Sequence, residues 1–190
     1  SYPSRVQPHH LGSYMLADTR SAPSLDMPAS TLTALIYPTA PTLGIQGVID
    51  IGPLSIFIDE LGYLCTDLKH VNVFRLTDFG PLSERQWHQV FCSYDGVAGM
   101  ITVACTSVST LTSNRPMQQT FQCPTTAALP EIVEVSVACL LGPKPHAFFN
   151  GKIEAPSIHS KVLDFNSART LEVCATNTDI YAAWDFSLET

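Results

Sequence analysis

The chain has 190 residues, with 10 Lys and Arg against 17 Asp and Glu, so its formal net charge is −7 at pH 7. Charged residues make up 14% of the chain and apolar residues 45%, which excludes an intrinsically disordered protein. The scattered Lys and Arg argue against a nucleic-acid partner, and no apolar stretch reaches the roughly 18 residues that a membrane span needs. The length favours one domain over residues 1–190, and the low charge suggests that other protein covers part of its surface.

Short runs of β-branched and aromatic residues, separated by Pro, Gly, Asn, Asp or Ser, predict an all-β fold. One short helix is predicted near residues 164–173, capped by Asp164 or Asn166, with Leu171 and Val173 facing the core. The predicted strands suit a two-sheet antiparallel sandwich. They span residues 12–17, 31–37, 46–51, 54–58, 62–65, 71–76, 87–94, 100–108, 118–122, 133–141, 147–153 and 180–186.

The hairpin between residues 87–94 and 100–108 is the clearest local feature. Asp95 and Gly96 begin a short connection, which predicts an antiparallel pair with the Asp95 side chain accepting hydrogen bonds from the turn's own N–H groups. Trp87 and His88 are adjacent on the first strand, so one of them faces the core and the other faces outward. We expect His88 to be a half-exposed cross-strand partner rather than an acid–base group.

The six cysteines contain no C-x-x-C pair, so neither a zinc ribbon nor a thioredoxin-type site is indicated. Their even number leaves disulfides open as an alternative. Four of them, Cys65, Cys92, Cys105 and Cys139, lie in apolar runs, where a thiol packs as a small hydrophobe. We therefore expect mainly reduced, structural cysteines and a cytoplasmic location.

A wider resemblance appears in two motifs. The string Trp87-His88-Gln89-Val90 precedes Tyr94-Asp95-Gly96, and Phe149-Asn150-Gly151-Lys152-Ile153 follows later in the chain. This pattern resembles the LamG-like, concanavalin A-like jelly-roll superfamily, in which a W-H-x-V strand enters a Y-D-G turn. The resemblance implies a jelly-roll sandwich over most of the chain, with a short helix at residues 162–169.

A narrower resemblance combines Asn150-Gly151-Lys152 with Trp184-Asp185-Phe186-Ser187 and with the opening Tyr2-Pro3-Ser4-Arg5. These strings are similar to the jelly-roll region of the large subunit of N,N-dimethylformamidase. That resemblance implies that the chain is a non-catalytic fragment of a longer protein, partnered by its remaining domains or subunits. It also implies an amide-hydrolysing iron site, with two tyrosines and a glutamate, in a domain downstream of this chain, so no residue here is expected to bind iron.

The motif residues also have structural interpretations. Asn150 and Gly151 predict a bulge or a tight corner, and Lys152 shares a strand face with Glu154. Trp184 and Phe186 share a face with Asp185 opposite, which predicts packing in the core or against a following domain.

Several further kinds of site remain as alternatives or are excluded. A LamG-like module that binds a carbohydrate or protein ligand is the alternative function, and a loop calcium site would draw on Asp50, Asp59, Asp67, Asp78 and Asp95. Glu131 and Glu134 lie an odd number of positions apart, so they project to opposite faces of a strand and do not form a glycosidase pair. The sequence has no G-x-S-x-G elbow, and His9 and His10 are adjacent, which does not suit chelation of one metal. We expect no catalytic residue and no bound metal in this chain.

Overall fold

The computed structural model describes residues 13–18, 28–68, 72–108, 116–123, 134–170 and 180–184. This part of the chain holds one short helix, α1 (Phe165–Thr170), and is otherwise built from strands and turns. The strands are β1 (Met15–Asp18), β2 (Ala29–Pro38), β3 (Gln46–Asp50), β4 (Leu54–Ile58), β5 (Leu64–Leu68), β6 (Asn72–Arg75), β7 (His88–Asp95), β8 (Met100–Ser107), β9 (Met117–Gln122), β10 (Glu134–Val137), β11 (Gly151–His159) and β12 (Ile180–Ala183).

The strands form two antiparallel sheets of six strands each. The first sheet has the order β1-β10-β3-β4-β5-β6, and the second has the order β12-β11-β2-β7-β8-β9. The two sheets pack face to face as a sandwich, which confirms the predicted all-β architecture. Within the described residues, no helix is long and apolar enough to cross a bilayer.

The core lies between the sheets and follows the alternation of the strands. On β7, Val90, Cys92 and Tyr94 point into it, at 0%, 0% and 1% exposure. The opposite face of β7 is covered as well, because Phe91 packs edge-on against Phe165 of α1, with the ring centroids 5.7 Å apart. Both faces of this central strand are therefore buried.

The helix begins where its sequence predicts. The Asp164 carboxylate accepts hydrogen bonds from the Ser167 N–H at 2.9 Å and the Ser167 hydroxyl at 2.6 Å, so Asp164 rather than Asn166 is the cap. Leu171 and Val173, which we expected to face the core, lie outside the described residues.

Several strand boundaries differ from the prediction, and two of these differences arise at turns. The strand predicted at 62–65 is β5, which begins at Leu64, since Gly62 has a φ of +86° and its N–H donates to the Asp59 carbonyl. The strand predicted at 133–141 is β10, which ends at Val137 because Ala138 has a φ of +67°. A residue with positive φ departs from the extended conformation and interrupts a regular β-ladder.

The strand predicted at 147–153 is instead β11, which starts at Gly151 and runs to His159. Ala147 has a φ of +51° and belongs to the connection before the strand. The register against β2 shifts between Glu154 and Ser157, where Ala155 has a φ of +45°. This bulge accommodates Pro156 inside the strand, which a regular ladder would not.

The two lateral sides of the sandwich differ, because one is closed by side chains and the other is open. Where β6 and β9 are the edge strands, Phe74 and Phe121 meet at 5.3 Å between ring centroids. The Gln119 Oε1 atom there accepts a hydrogen bond from the Thr77 N–H at 2.6 Å, which ties the two sheets together. On the other side, where β1 is an edge strand and lies near β11, an open cleft remains.

Candidate functional site

The cleft on the open side of the sandwich has a volume of about 690 Å³. Both sheets contribute to it, together with the connection that precedes β11. Its lining residues are Ser13, Tyr14, Met15, Leu43, Val137, Ala138, Phe148, Phe149, Asn150, Gly151 and Ile153. Clefts of this size are typical of small-molecule binding sites in proteins.

One wall of the cleft is aromatic. Tyr14 and Phe148 lie with their ring centroids 5.3 Å apart and their planes tilted by 44°. Tyr14 is 44% exposed, and Leu43 is 71% exposed. None of the lining side chains is charged, and the polar ones are Ser13, Asn150 and the hydroxyl of Tyr14. The cleft therefore presents uncharged, mostly apolar side chains to solvent, together with exposed polar atoms.

A corner at Asn150 and Gly151 shapes the cleft floor. The Asn150 N–H donates to Gln46 Oε1 at 2.9 Å, and the Thr39 hydroxyl donates to Asn150 Oδ1 at 2.6 Å. A Cβ atom at Gly151 would overlap the carbonyl oxygen of Tyr37, so only glycine fits between the strands. The two residues form the tight corner that opens β11, whereas the bulge lies farther along, at Ala155.

The residues of the W-H-x-V and Y-D-G motifs do not line the cleft. Trp87 is half-buried against Tyr37, with the ring centroids 5.3 Å apart, and Tyr94 is in the core. Asp95 Oδ1 accepts hydrogen bonds from the N–H groups of Val97 and Ala98, at 3.0 and 2.9 Å, which is the turn-closing role expected of it. The Gly96 N–H donates to the carbonyl of Pro28 at 2.7 Å.

The remaining motif residues lie on or beside β11. Lys152 is exposed and pairs in register with Tyr37 of β2. Trp184 is half-buried and packs against the core. Its backbone N–H donates a hydrogen bond to the Pro156 carbonyl at 3.1 Å. Asp185 and Phe186 lie outside the described residues.

The prediction of a half-exposed His88 is wrong. Its side chain is fully buried, edge-on to Phe79, with Nε2 3.1 Å from the Ser83 carbonyl and Nδ1 3.4 Å from the Ser107 hydroxyl. Because a carbonyl only accepts hydrogen bonds, Nε2 carries the proton. Burial lowers the pKa of His88, so the neutral ring is favoured in the folded protein. The segment before β7 covers the ring, which the alternation of one strand does not reveal.

The other described histidines differ in their exposure to solvent. His146 is exposed, and His159 is buried with Nε2 3.0 Å from the Ser157 hydroxyl. His9, His10 and His70 lie outside the described residues.

Most of the aspartates named above as candidate calcium ligands accept hydrogen bonds from backbone N–H groups in turns. Asp50 is buried and accepts hydrogen bonds from the N–H groups of Gly52 at 2.7 Å and Leu141 at 2.8 Å. Within the described residues, no group of three or more His, Cys, Asp or Glu side chains is placed to hold a metal ion. Glu131, one of the two glutamates compared above, lies outside these residues.

Asp59 has a different role, at the start of a turn between β4 and β5. Its Oδ1 atom accepts hydrogen bonds from the N–H groups of Leu61 and Tyr63, at 2.9 and 3.0 Å. Its Oδ2 atom lies 2.6 Å from the Arg75 guanidinium, which also lies over the Tyr63 ring. This carboxylate thus joins the turn to β6.

The five described cysteines are buried and free, as expected for thiols that pack as hydrophobes. Burial raises the pKa of Cys92 to about 12, and burial together with the nearby Asp59 carboxylate raises the pKa of Cys65 to about 12. Such thiols remain protonated and do not serve as nucleophiles. Cys174 lies outside the described residues.

The cleft was not predicted from the sequence. One signal for it was the pair Phe148-Phe149 just before the corner, since adjacent side chains diverge and only one ring can be buried between the sheets. Phe149 is 6% exposed and Phe148 is half-buried.

No protein-family model matches this chain, and no curated protein matches it. Solved structures do. A Bacteroides ovatus protein provisionally described as carbohydrate binding matches with a TM-score of 0.67 at 15% identity, over 90% of this chain and 48% of that chain. A heptameric SAP-like pentraxin from Limulus polyphemus matches with a TM-score of 0.62 at 13% identity, over 90% of this chain and 85% of that chain.

The LG1-3 region of the laminin alpha2 chain matches with a TM-score of 0.58 at 10% identity, over 80% of this chain and 31% of that chain. This chain therefore spans about half the length of the Bacteroides protein and a smaller share of the laminin region. Identities this low establish the fold and nothing further. The chain is a two-sheet jelly-roll sandwich with the concanavalin-like, LamG-like fold of these proteins.

Proposed function

We propose that this chain is a non-catalytic jelly-roll module of a larger protein and that its cleft holds polypeptide from the rest of that protein. The observation that carries the proposal is the set of uncharged, mostly apolar side chains that line the cleft, among which Tyr14 and Leu43 are exposed and Phe148 is half-buried. The central part of a protein–protein interface is depleted of charge and enriched in aromatic side chains. An apolar surface of this kind is more stable when covered.

The larger protein, in this proposal, is of the N,N-dimethylformamidase large-subunit type. This part of the proposal rests on the resemblance of the strings Asn150-Gly151-Lys152 and Trp184-Asp185-Phe186-Ser187 to that subunit. The amide-hydrolysing iron site belongs, on this proposal, to polypeptide outside this chain. The free, buried cysteines of the described residues suit a reducing compartment, and we propose a cytoplasmic location.

A carbohydrate-binding module is the second candidate. Tyr14 and Phe148 offer aromatic faces of the kind that pack against sugar rings, and Ser13 and Asn150 offer polar groups beside them. The similar Bacteroides fold, provisionally described as carbohydrate binding, is in keeping with this function. Polar side chains are few in the cleft, however, and a sugar ligand needs several hydrogen bonds for specificity. This difference favours polypeptide as the occupant.

The test compares the 190-residue chain with the longer protein obtained from its full reading frame. We expect backbone amides around Tyr14 and Phe148 to exchange hydrogen at least about tenfold more slowly in the longer protein, because covered backbone opens less often. A reading frame that ends at Thr190, or equal exchange in both proteins, would contradict the proposal.

A glycan array and calorimetric titration, with and without calcium, separate the second candidate from the first. Binding that is lost in Phe148→Ala and kept in Val97→Ala would establish a carbohydrate-binding module instead. Val97 is a suitable control because it is an apolar side chain, 83% exposed, on the β7–β8 turn and away from the cleft.

A further inference from the structure

Strand β9 is an edge strand that lacks the usual protection against further pairing. It pairs with β8 along Met117–Gln122 without a register shift, and among the described residues no strand pairs with its other edge. Proteins protect such edges with short strands, charged side chains, proline or bulges, because an open edge can pair with another chain. β9 has six residues, none of them charged or proline, whereas the edge strands β1, β6 and β12 have four residues each.

The backbone groups on the open edge of β9 belong to Gln118, Thr120 and Gln122. Along an antiparallel ladder, the N–H and C=O groups of successive residues point alternately toward the partner strand and away from it. The N–H of Cys123, just after β9, donates to the carbonyl of Gly99, just before β8, at 2.7 Å. Counting back from Cys123, every second residue faces β8, so the other three present their N–H and C=O groups away from it. Their side chains are exposed.

The inner face of β9 holds the strand in place. Gln119 Oε1 accepts hydrogen bonds from the N–H and the hydroxyl of Thr77, at 2.6 and 3.2 Å. Phe121 packs against Phe74 of the other sheet. A strand that is already fixed loses little conformational entropy when it gains a partner, which favours association.

The open edge of β9 is complementary to itself. When two copies place β9 antiparallel about a twofold axis at Thr120, the two Thr120 residues are opposite each other, and Gln118 of each copy is opposite Gln122 of the other. Each of these pairs exchanges two N–H···O=C hydrogen bonds. The paired side chains are uncharged, so no like charges meet across the axis. Because the net charge of −7 opposes association in general, an uncharged edge is favourable for the approach of a second copy.

We propose that two copies of this chain pair through β9 and join their second sheets into one continuous sheet with twofold symmetry. We expect a weak dimer, with a dissociation constant of about 10–100 µM, because one strand pair buries less area than a standard interface of about 1,600 Å². The pairing uses the lateral side opposite the cleft, so it leaves the cleft free for the polypeptide of the proposed function. The two proposals therefore succeed or fail independently.

Sedimentation velocity of two double variants tests the pairing and its register. Gln118→Lys with Gln122→Lys places like charges opposite each other across the axis, although it makes the whole chain less negative, and is expected to weaken association at least about tenfold. Gln118→Lys with Gln122→Glu changes the same exposed positions but brings opposite charges together, and is expected to keep the dissociation constant within about threefold of that of the unmodified chain. Equal weakening in the two variants, or an unmodified chain that stays monomeric up to about 1 mM, would overturn the proposal.

Amide hydrogen exchange at two concentrations of the unmodified chain identifies what covers this edge. Above the dissociation constant, we expect the N–H groups of Gln118, Thr120 and Gln122 to exchange at least about fivefold more slowly than in dilute solution. The N–H of Phe121 faces β8 and is the control, with slow exchange at both concentrations. Full protection of the three amides in the dilute monomer would show that another part of the same chain covers the edge, and the proposed dimer would then be excluded.

Discussion

Gly151 lies so close to the backbone of Tyr37 that a side chain at this position would overlap the Tyr37 carbonyl oxygen. Gly151 is the first residue of β11, and it is in register with Pro38, the residue that follows Tyr37 at the end of β2. Because Gly151 and Ile153 of β11 line the cleft, this contact helps to set the shape of the cleft.

Replacement of Gly151 by alanine is expected to destabilise the fold by about 3 kcal/mol or more, because a steric overlap is added to an unfavourable φ of +156°. Urea unfolding measures the change. Gly44→Ala is the matched control, since Gly44 has a φ of +120° but no atom within 4 Å of the added Cβ, so only backbone strain of about 1–2 kcal/mol is expected. Equal losses would mean that β11 moves aside without cost.

The buried Asp59 carboxylate is expected to contribute far more stability than an exposed one. Asp59→Ala removes the acceptor for two N–H groups and the partner of Arg75, and should cost about 2–3 kcal/mol in the free energy of unfolding. Glu84→Ala removes an exposed carboxylate 3.4 Å from Arg85 and should change it by less than about 0.5 kcal/mol. Comparable values for the two variants would contradict this role.

His88 is expected to make stability depend on pH below neutrality. Burial lowers its pKa in the folded protein from the ordinary value of 6.5, so the unfolded chain binds a proton more readily. The contribution of the neutral His88 ring to the free energy of unfolding is fully present above about pH 6.5. It decreases as the pH falls from there toward the lowered folded-state pKa. Unfolding curves between pH 5 and 8, compared with those of His88→Gln, isolate this contribution. A wild-type slope no steeper than that of the variant would exclude it.

The buried thiols are expected to be unreactive in the folded protein. In a Cys174→Ser variant, the remaining five cysteines should react with a thiol reagent at about one-hundredth or less of the rate seen in denaturant, because burial keeps them protonated and covered. Rapid modification of several thiols without unfolding would show that the sandwich opens easily.

Local sequence predicted those parts of the fold that depend on neighbouring residues. Asp95 and its turn are an example, because the Asp95 carboxylate reaches N–H groups only two and three residues ahead. The antiparallel pairing of β7 with β8 follows from that turn, and Asp95 is indeed in register with Met100. The cap at Asp164 is equally local.

The burial of His88 and the requirement for glycine at residue 151 needed the tertiary structure. His88 contacts Phe79 and Ser83 from the segment before β7, and Gly151 meets Tyr37 from a strand more than a hundred residues earlier in the chain. Strand periodicity assigns a residue to a face of its sheet, but it does not say what covers that face.

The amino-acid sequence by itself determined the all-β class, the succession of strands and the turns between them, because these depend on alternation and on side chains within a few positions. Only the tertiary structure decided which side of the sandwich is closed by Phe74 and Phe121 and which holds the cleft beside Tyr14 and Phe148. The reason is that sheet order brings together edge strands far apart in the chain, and the surface between them belongs to no single segment.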